Sequence, residues 1–226
     1  MKIAVVSQNN SEIKKLVEKY KFEIVKKNPE IVICAGGDGT ILLSERLYPF
    51  IPKLVIKTSK TFRKYDYTLD QLELILELIK QKKYKIIEEN KIEAEFKGEK
   101  LVALNEIQVR QRYPNVALRF SISVNGKTYK NLIGDGVIVS TPFGSTGYYK
   151  SAGGKRFTKG IGIVFNNLYS NGIKNLIVNE KSKIKVRIER ELSWLIRDND
   201  KNFINLKPGD EVIISLSKNN ARFIKV

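Results

Sequence analysis

The hydrophobic period of this 226-residue chain changes once, near Lys82, and that change restricts the possible folds more than any other feature. Before it, short apolar runs at 2–7, 31–35 and 53–57 alternate with segments of helical spacing at 11–22, 40–47 and 69–80. Ile13, Leu16, Val17 and Tyr20 line one helical face, and Leu72, Ile75, Leu76 and Ile79 another. Strand and helix in strict alternation predict a parallel sheet with crossover helices packed on it. After Lys82 the period becomes two, with strands expected at 85–96, 101–112, 116–124 and 127–140. Turn signals stand at Lys97-Gly98-Glu99-Lys100 and Asn125-Gly126. Further strands are expected at 161–165, 175–178, 183–189, 193–197 and 211–217. The fold expected is therefore an α/β domain over 1–82 followed by a β-rich domain over 83–226, whose apolar tail at 221–226 packs rather than dangles and can return to the first domain.

Composition narrows the chemistry. The chain has no histidine, which removes every His-dependent catalytic unit and metal ligand and leaves Asp, Glu, Lys, Tyr or water to move protons. One cysteine, Cys34, excludes an internal disulfide framework and a Cys-rich zinc site. No apolar run is long enough for a signal peptide or a membrane span, so a soluble cytoplasmic protein without a membrane partner is expected. A formal charge of +17 invites a polyanion partner, but the excess of Lys and Arg is spread along the chain rather than gathered into an arm. Two meanings remain open at this point: a generally basic, solvated surface, or a dedicated anion site.

Two glycine-rich segments carry the chemical signal. In the first, the run Ile31-Val32-Ile33-Cys34-Ala35 enters Gly36-Gly37-Asp38-Gly39-Thr40 and then a helix start. Glycines let backbone N–H groups approach a phosphate, and a helix N-terminus adds partial positive charge. The segment is not a Walker A loop, since no Lys-Ser/Thr follows, and Leu42 stands where a dinucleotide fingerprint needs its third glycine. Its one ionisable group is Asp38, which is either a reactive carboxylate or a local turn-forming residue. The second segment runs from Gly134-Asp135-Gly136 through Ser140-Thr141-Pro142-Phe143-Gly144-Ser145-Thr146-Gly147-Tyr148 to Ser151-Ala152-Gly153-Gly154. A buried strand between loops dense in hydroxyls and glycines suits a polar ligand site better than a core. Between the two lies Asn105-Glu106 in an otherwise apolar strand, where adjacent side chains point to opposite faces.

In kind, order and separation these three elements resemble the NAD kinase family, and the resemblance covers about residues 1–190. The glycine-aspartate turn alone is shared with diacylglycerol, sphingosine and phosphofructokinase-type enzymes; the second segment decides between them. The resemblance implies a Rossmann-like α/β domain and a β-rich domain. It also implies transfer of the terminal phosphoryl group of ATP, or of polyphosphate, to the adenosine-ribose 2′-hydroxyl of NAD. By position, Asp38 matches the proton acceptor, with Gly39 beside it at the NAD. Asn105, Glu106, Asp135, Thr146, Gly147, Tyr148 and Ser151 match the other NAD-binding residues. Gly36, Gly37, Gly39 and Thr40 form the phosphate-binding turn, magnesium or another divalent cation is the expected cofactor, and its ligands are not specified. Family members assemble as dimers or tetramers in which a neighbour can complete the NAD site.

The chain departs from the family at several points. The stretch 57–65 lacks the usual glycines and is basic, with Lys60, Arg63 and Lys64 as candidate phosphate contacts. Phe143 and Gly147 replace a small hydroxyl residue and an alanine, and Lys155-Arg156 stands where His-Pro is frequent. Two other functions are less well supported. A lipid kinase lacks an acyl-binding segment here, and a non-catalytic basic nucleotide- or RNA-binding protein would cluster aromatics among its lysines, which this chain does not do. Nucleic acid is therefore not an expected partner.

Overall fold

The structure is a computed structural model that describes residues 1–8, 11–57, 66–169 and 173–226. It divides into two compact units, 1–89 together with 220–226, and 90–219.

The first unit is a seven-stranded sheet built from β1 (Lys2–Ser7), β2 (Glu23–Ile24), β3 (Ile31–Gly36), β4 (Lys53–Lys57), β5 (Asp66–Tyr67), β6 (Lys85–Glu89) and the C-terminal strand Ala221–Lys225. The order is β2-β1-β3-β4, then the C-terminal strand, then β6, with β5 also paired to β4. All pairings are parallel except that of β6 with the C-terminal strand. Helices α1 (Ser11–Lys19), α2 (Asp38–Leu47) and α3 (Leu72–Lys80) connect the strands. On β3 the side chains alternate between two apolar clusters: Ile31, Ile33 and Ala35 join Ile13 and Val17 of α1 and Leu72, Ile75 and Ile79 of α3, while Val32 and Cys34 join Tyr48 and Ile51 on the other face. Coverage of both faces explains why this strand reads as a continuous apolar run. Helix α1 is shorter than its hydrophobic spacing suggests, because Lys21 takes a positive φ of 61° that turns the chain into β2. Beneath α2, the buried Lys53 pairs with Glu45 and donates to the Tyr48 carbonyl at 2.7 Å.

The second unit is a sandwich of two six-stranded sheets. Its strands are β7 (Ile92–Phe96), β8 (Glu99–Ala103), β9 (Glu106–Gln111), β10 (Leu118–Val124), β11 (Lys127–Gly134), β12 (Gly136–Ser140), β13 (Ile161–Asn166), β14 (Leu176–Val178), β15 (Ile184–Arg190), β16 (Ser193–Arg197), β17 (Ile204–Leu206) and β18 (Glu211–Leu216). One sheet has the order β11-β10-β15-β18-β7-β8 and the other β14-β13-β12-β9-β16-β17. Their inner faces share one apolar core, with Ile92, Phe120, Ile122, Val186 and Ile214 from the first sheet against Ile107, Val109, Val139, Ile163 and Leu195 from the second. Short helix α4 (Tyr148–Ser151) covers the second sheet's outer face by burying Tyr149 edge-on to Phe157, with ring centroids 5.3 Å apart.

Three stretches of period two are each two strands. The stretch 85–96 divides between the units, 101–112 divides at Leu104-Asn105, and 127–140 divides at Asp135. At the last two breaks the chain leaves one sheet of the sandwich for the other, so alternation carries through while the hydrogen-bonding partner changes. Among the described residues no helix is long and apolar enough to cross a membrane.

Candidate active site

In the first unit, the glycine-aspartate turn lies at the carboxyl ends of the parallel strands, where open α/β sheets hold ligands. β3 ends at Gly36, Gly37 caps α2, and Asp38 is the first residue of the helix. Gly36 has a φ of 155°, and a Cβ there would run into the Thr40 side chain, so the turn admits no larger residue. Over Gly37 the space is open, with no atom within 4 Å of a Cβ built there. The Gly37 carbonyl takes up the N–H groups of Thr40 and Ile41 at 3.0 and 3.4 Å, so the helix starts without a side-chain cap. Helix dipole and backbone N–H groups thus face a turn containing three glycines, the arrangement that suits phosphate.

Asp38 is held by a buried lysine. Its Oδ1 accepts from Lys57 Nζ at 2.7 Å, and the same ammonium lies 3.4 Å from Asp66 Oδ2. The side chains of Lys57 and Asp66 are each 2% exposed, whereas that of Asp38 is 47% exposed. Lys57 is the last residue of β4, in register with Gly36, and Asp66 opens the neighbouring β5 in register with Val55. The sequence gives no warning of this ion pair, because Lys57 is one more lysine in a lysine-rich chain. Residues 58–65, including Lys60, Arg63 and Lys64, lie outside the described residues.

In the second unit, the Asn105-Glu106 pair sits where the chain crosses between sheets, and its backbone is held from both sides. Asp198, in the turn after β16, accepts the N–H groups of Leu104, Asn105 and Glu106 at 2.9, 2.7 and 3.1 Å. Burial pushes the Asp198 carboxyl up, and the three N–H donors oppose that rise. On the other side, Thr141 Oγ1 donates to the Leu104 carbonyl at 2.6 Å, and Ser140 Oγ to the Asn105 carbonyl at 3.1 Å. Thr141 Oγ1 in turn accepts the Gly144 N–H at 3.0 Å, which brings the Gly144–Thr146 turn against Asn105 so closely that a Cβ on Gly144 would lie 2.6 Å from the Asn105 Cα.

The result is a buried polar corner. Asn105 and Glu106 are both buried, and a Cβ on Gly147 would lie 3.5 Å from Asn105 Nδ2 and 3.7 Å from Glu106 Oε2. Asn105 Oδ1 accepts no hydrogen bond among the described residues, an uncommon state for a buried amide. Gly147 leads into α4, where Tyr148 is exposed and Ser151 Oγ donates to the Gly147 carbonyl at 3.4 Å. Asn105, Glu106, Thr146, Gly147, Tyr148 and Ser151 are therefore neighbours in one unit.

Asp135 is not among them. It precedes Gly136, which pairs with Arg110, while Ser140 at the other end of β12 pairs with Glu106. At about 3.4 Å per residue Asp135 and Glu106 stand roughly 17 Å apart along the strands. Asp135 instead accepts from Asn167 Nδ2 at 3.1 Å.

A glycine-aspartate turn on a parallel sheet, joined in one chain to a β-sandwich with a locked polar corner, suits a phosphotransferase, and comparison with known proteins gives the family. Residues 104–226 match the model of the ATP-NAD kinase C-terminal domain. The chain is 31% identical to the NAD kinase of Sulfurisphaera tokodaii over all of its own length and 95% of that protein's. It is 28% identical to the bifunctional NADP phosphatase/NAD kinase of Methanococcus maripaludis, of which it spans 38%. Its fold matches the crystal structure of an NAD kinase from Archaeoglobus fulgidus in complex with ATP, with a TM-score of 0.86 at 24% identity over all of this chain and 94% of that one. This chain belongs to the NAD kinase family.

Proposed function

We propose that this protein is an NAD kinase that transfers the terminal phosphoryl group of ATP to the 2′-hydroxyl of the adenosine ribose of NAD. The observation that supports this reading best is the state of Asp38, a half-exposed carboxylate at a helix N-terminus built of glycines, with a buried ammonium fixing one of its oxygens. In the transfer, the ribose oxygen bonds to the γ-phosphorus as the bond from that phosphorus to the β,γ-bridging oxygen breaks. The electron pair leaves on ADP, and the hydroxyl proton passes to Asp38. Phosphoryl transfer asks for little beyond positioning, a proton acceptor and charge stabilisation, so a chain without histidine suffices. Gly36, Gly37, Gly39 and Thr40 form the phosphate-binding turn. Asn105, Glu106, Thr146, Gly147, Tyr148 and Ser151 hold the dinucleotide, and the buried Asn105 amide supplies a fixed polar contact.

Magnesium fits as an ion carried by the donor. Among the described residues no group of three or more Asp, Glu, Cys or His side chains could hold a metal, and magnesium ordinarily binds through substrate phosphates with one or two carboxylates. It would neutralise charge on the phosphoryl oxygens. The protein works in the reducing cytoplasm, in keeping with its single buried thiol. It acts as a homo-oligomer in which Asp135 serves the NAD site of a second copy, since within one unit it stands apart from Asn105 and Glu106. The test is NADP formation from NAD and magnesium with ATP or polyphosphate as donor. NADP from ATP is the expected outcome, and none from folded protein with either donor would refute the reading. Mixing Asp38→Asn with Asp135→Ala subunits should yield more activity than the two separately, and a simple sum would refute the shared site.

A further inference from the structure

Lys57 is, with Lys53, one of two buried lysines among the described residues of the first unit. Burying an ammonium costs several kcal/mol unless its partners are well placed, and this one is 2% exposed at the end of β4. Its two partners differ in kind. Asp66 is as buried as the lysine and fixed by strand pairing with β4, so it cannot leave. Asp38 is half exposed, on a helix terminus facing the turn, and closer to the ammonium, at 2.7 against 3.4 Å. A buried lysine needing only neutralisation would be satisfied by Asp66; its shorter contact goes to the carboxylate at the surface.

We propose that Lys57 is the positioning residue for Asp38: the Lys57–Asp66 pair is a fixed buried strut whose ammonium anchors Asp38 Oδ1 and so sets the direction in which the carboxylate meets the ribose hydroxyl. The proposal rests on the NAD kinase reading given above. Charge balance supports it. Once Asp38 has accepted the hydroxyl proton, Lys57 remains paired with Asp66, so the buried ammonium keeps a carboxylate partner at either stage. A strut of this kind changes turnover and leaves substrate affinity alone, because its effect passes through the proton acceptor rather than through contact with NAD or ATP.

The experiment is steady-state kinetics on Lys57→Met, Lys57→Arg and Asp38→Asn, and on Lys57→Met combined with Asp38→Asn, with thermal melts of each. Lys57→Met should lower kcat by about a hundredfold, the cost of a misplaced catalytic group, with the KM values for NAD and ATP within about twofold. Lys57→Arg should recover part of the loss, since it keeps the charge and the donor. The double variant should be no slower than Asp38→Asn alone, because the strut has nothing left to position. Near-normal kcat in Lys57→Met, or losses that multiply in the double variant, would overturn the proposal. If Lys57→Met does not fold, the same criteria apply to Lys57→Gln. Wild-type protein that makes no NADP would overturn the kinase reading itself, whereas active wild type with additive losses would overturn only the role of Lys57.

Discussion

The glycine-aspartate turn of the first unit and the polar corner of the second are held by opposite means. At the turn, a side-chain ion pair with Lys57 holds Asp38, which stays half exposed. In the corner, Asn105 and Glu106 are buried, and it is their backbone that is pinned, by three N–H bonds to Asp198 and by hydroxyls of Ser140 and Thr141. The difference matches the role proposed for each. A group that changes protonation during the reaction needs solvent access and a compensating charge, whereas a group that recognises a fixed ligand shape needs rigidity and no titration. Damage to the first should therefore appear in turnover, and damage to the second in stability and affinity.

The largest effect expected is that of Asp38→Asn. The fold should be retained, since Asn has nearly the size of Asp and Asp66 still pairs with Lys57, while kcat falls about a thousandfold, within the range for loss of a general base. A thermal melt with circular dichroism and an NADP assay check both halves of this statement. If the loss appeared instead as a rise in the KM for NAD, the assignment of chemistry to the first unit and recognition to the second would be broken.

Asp198→Ala tests the other side. It leaves three buried N–H groups without their acceptor, at roughly 1–3 kcal/mol each, so a loss of about 3 kcal/mol in stability is expected by chemical denaturation. The folded fraction should bind NAD more weakly, because Leu104–Glu106 is then free to relax. A variant of normal stability and normal NAD affinity would show that the corner is not organised by this carboxylate.

These cases also show what the sequence could reveal. Asp38 was picked out by the family resemblance, because the glycine turn alone left a reactive carboxylate and a local turn-forming residue both open. Asp198 was not, because Arg197-Asp198-Asn199-Asp200 is what an ordinary hairpin turn looks like, and its contact is made across 92 to 94 residues of chain. Lys57 was hidden for a different reason, since a lysine at a strand end in a chain with 41 Lys and Arg reads as surface. The two-unit α/β and β-rich plan followed from the change of period. The sheet crossings at Leu104-Asn105 and Asp135 did not, because alternation is a property of one strand and records nothing about its partner.

A smaller effect is expected at Gly144. In Gly144→Ala the new Cβ would meet the backbone of Asn105, and relieving that contact must move either the turn or the corner. Forced overpacking costs typically 1–3 kcal/mol, and a stability loss of about 2 kcal/mol with a raised KM for NAD and little change in kcat is the outcome that fits recognition without chemistry. A fall in kcat at unchanged KM would blur the division between the two regions.

The smallest effect belongs to Cys34, which lies in β3 only four residues before Asp38 and so tests how sharply exposure ends at the turn. The thiol is fully buried, and burial pushes its pKa up to about 12. At pH 8 only about one folded molecule in ten thousand would carry the reactive thiolate, and that one is shielded as well. A disulfide reagent should therefore label Cys34 only as fast as the first unit opens, and should leave NADP formation unchanged while the protein stays folded. Labelling at the rate of a free thiol, with loss of activity, would mean that the strand beneath Asp38 opens in the native state. In that case the half-exposed carboxylate would be one mobile group among several, rather than a single reactive side chain standing on a closed base.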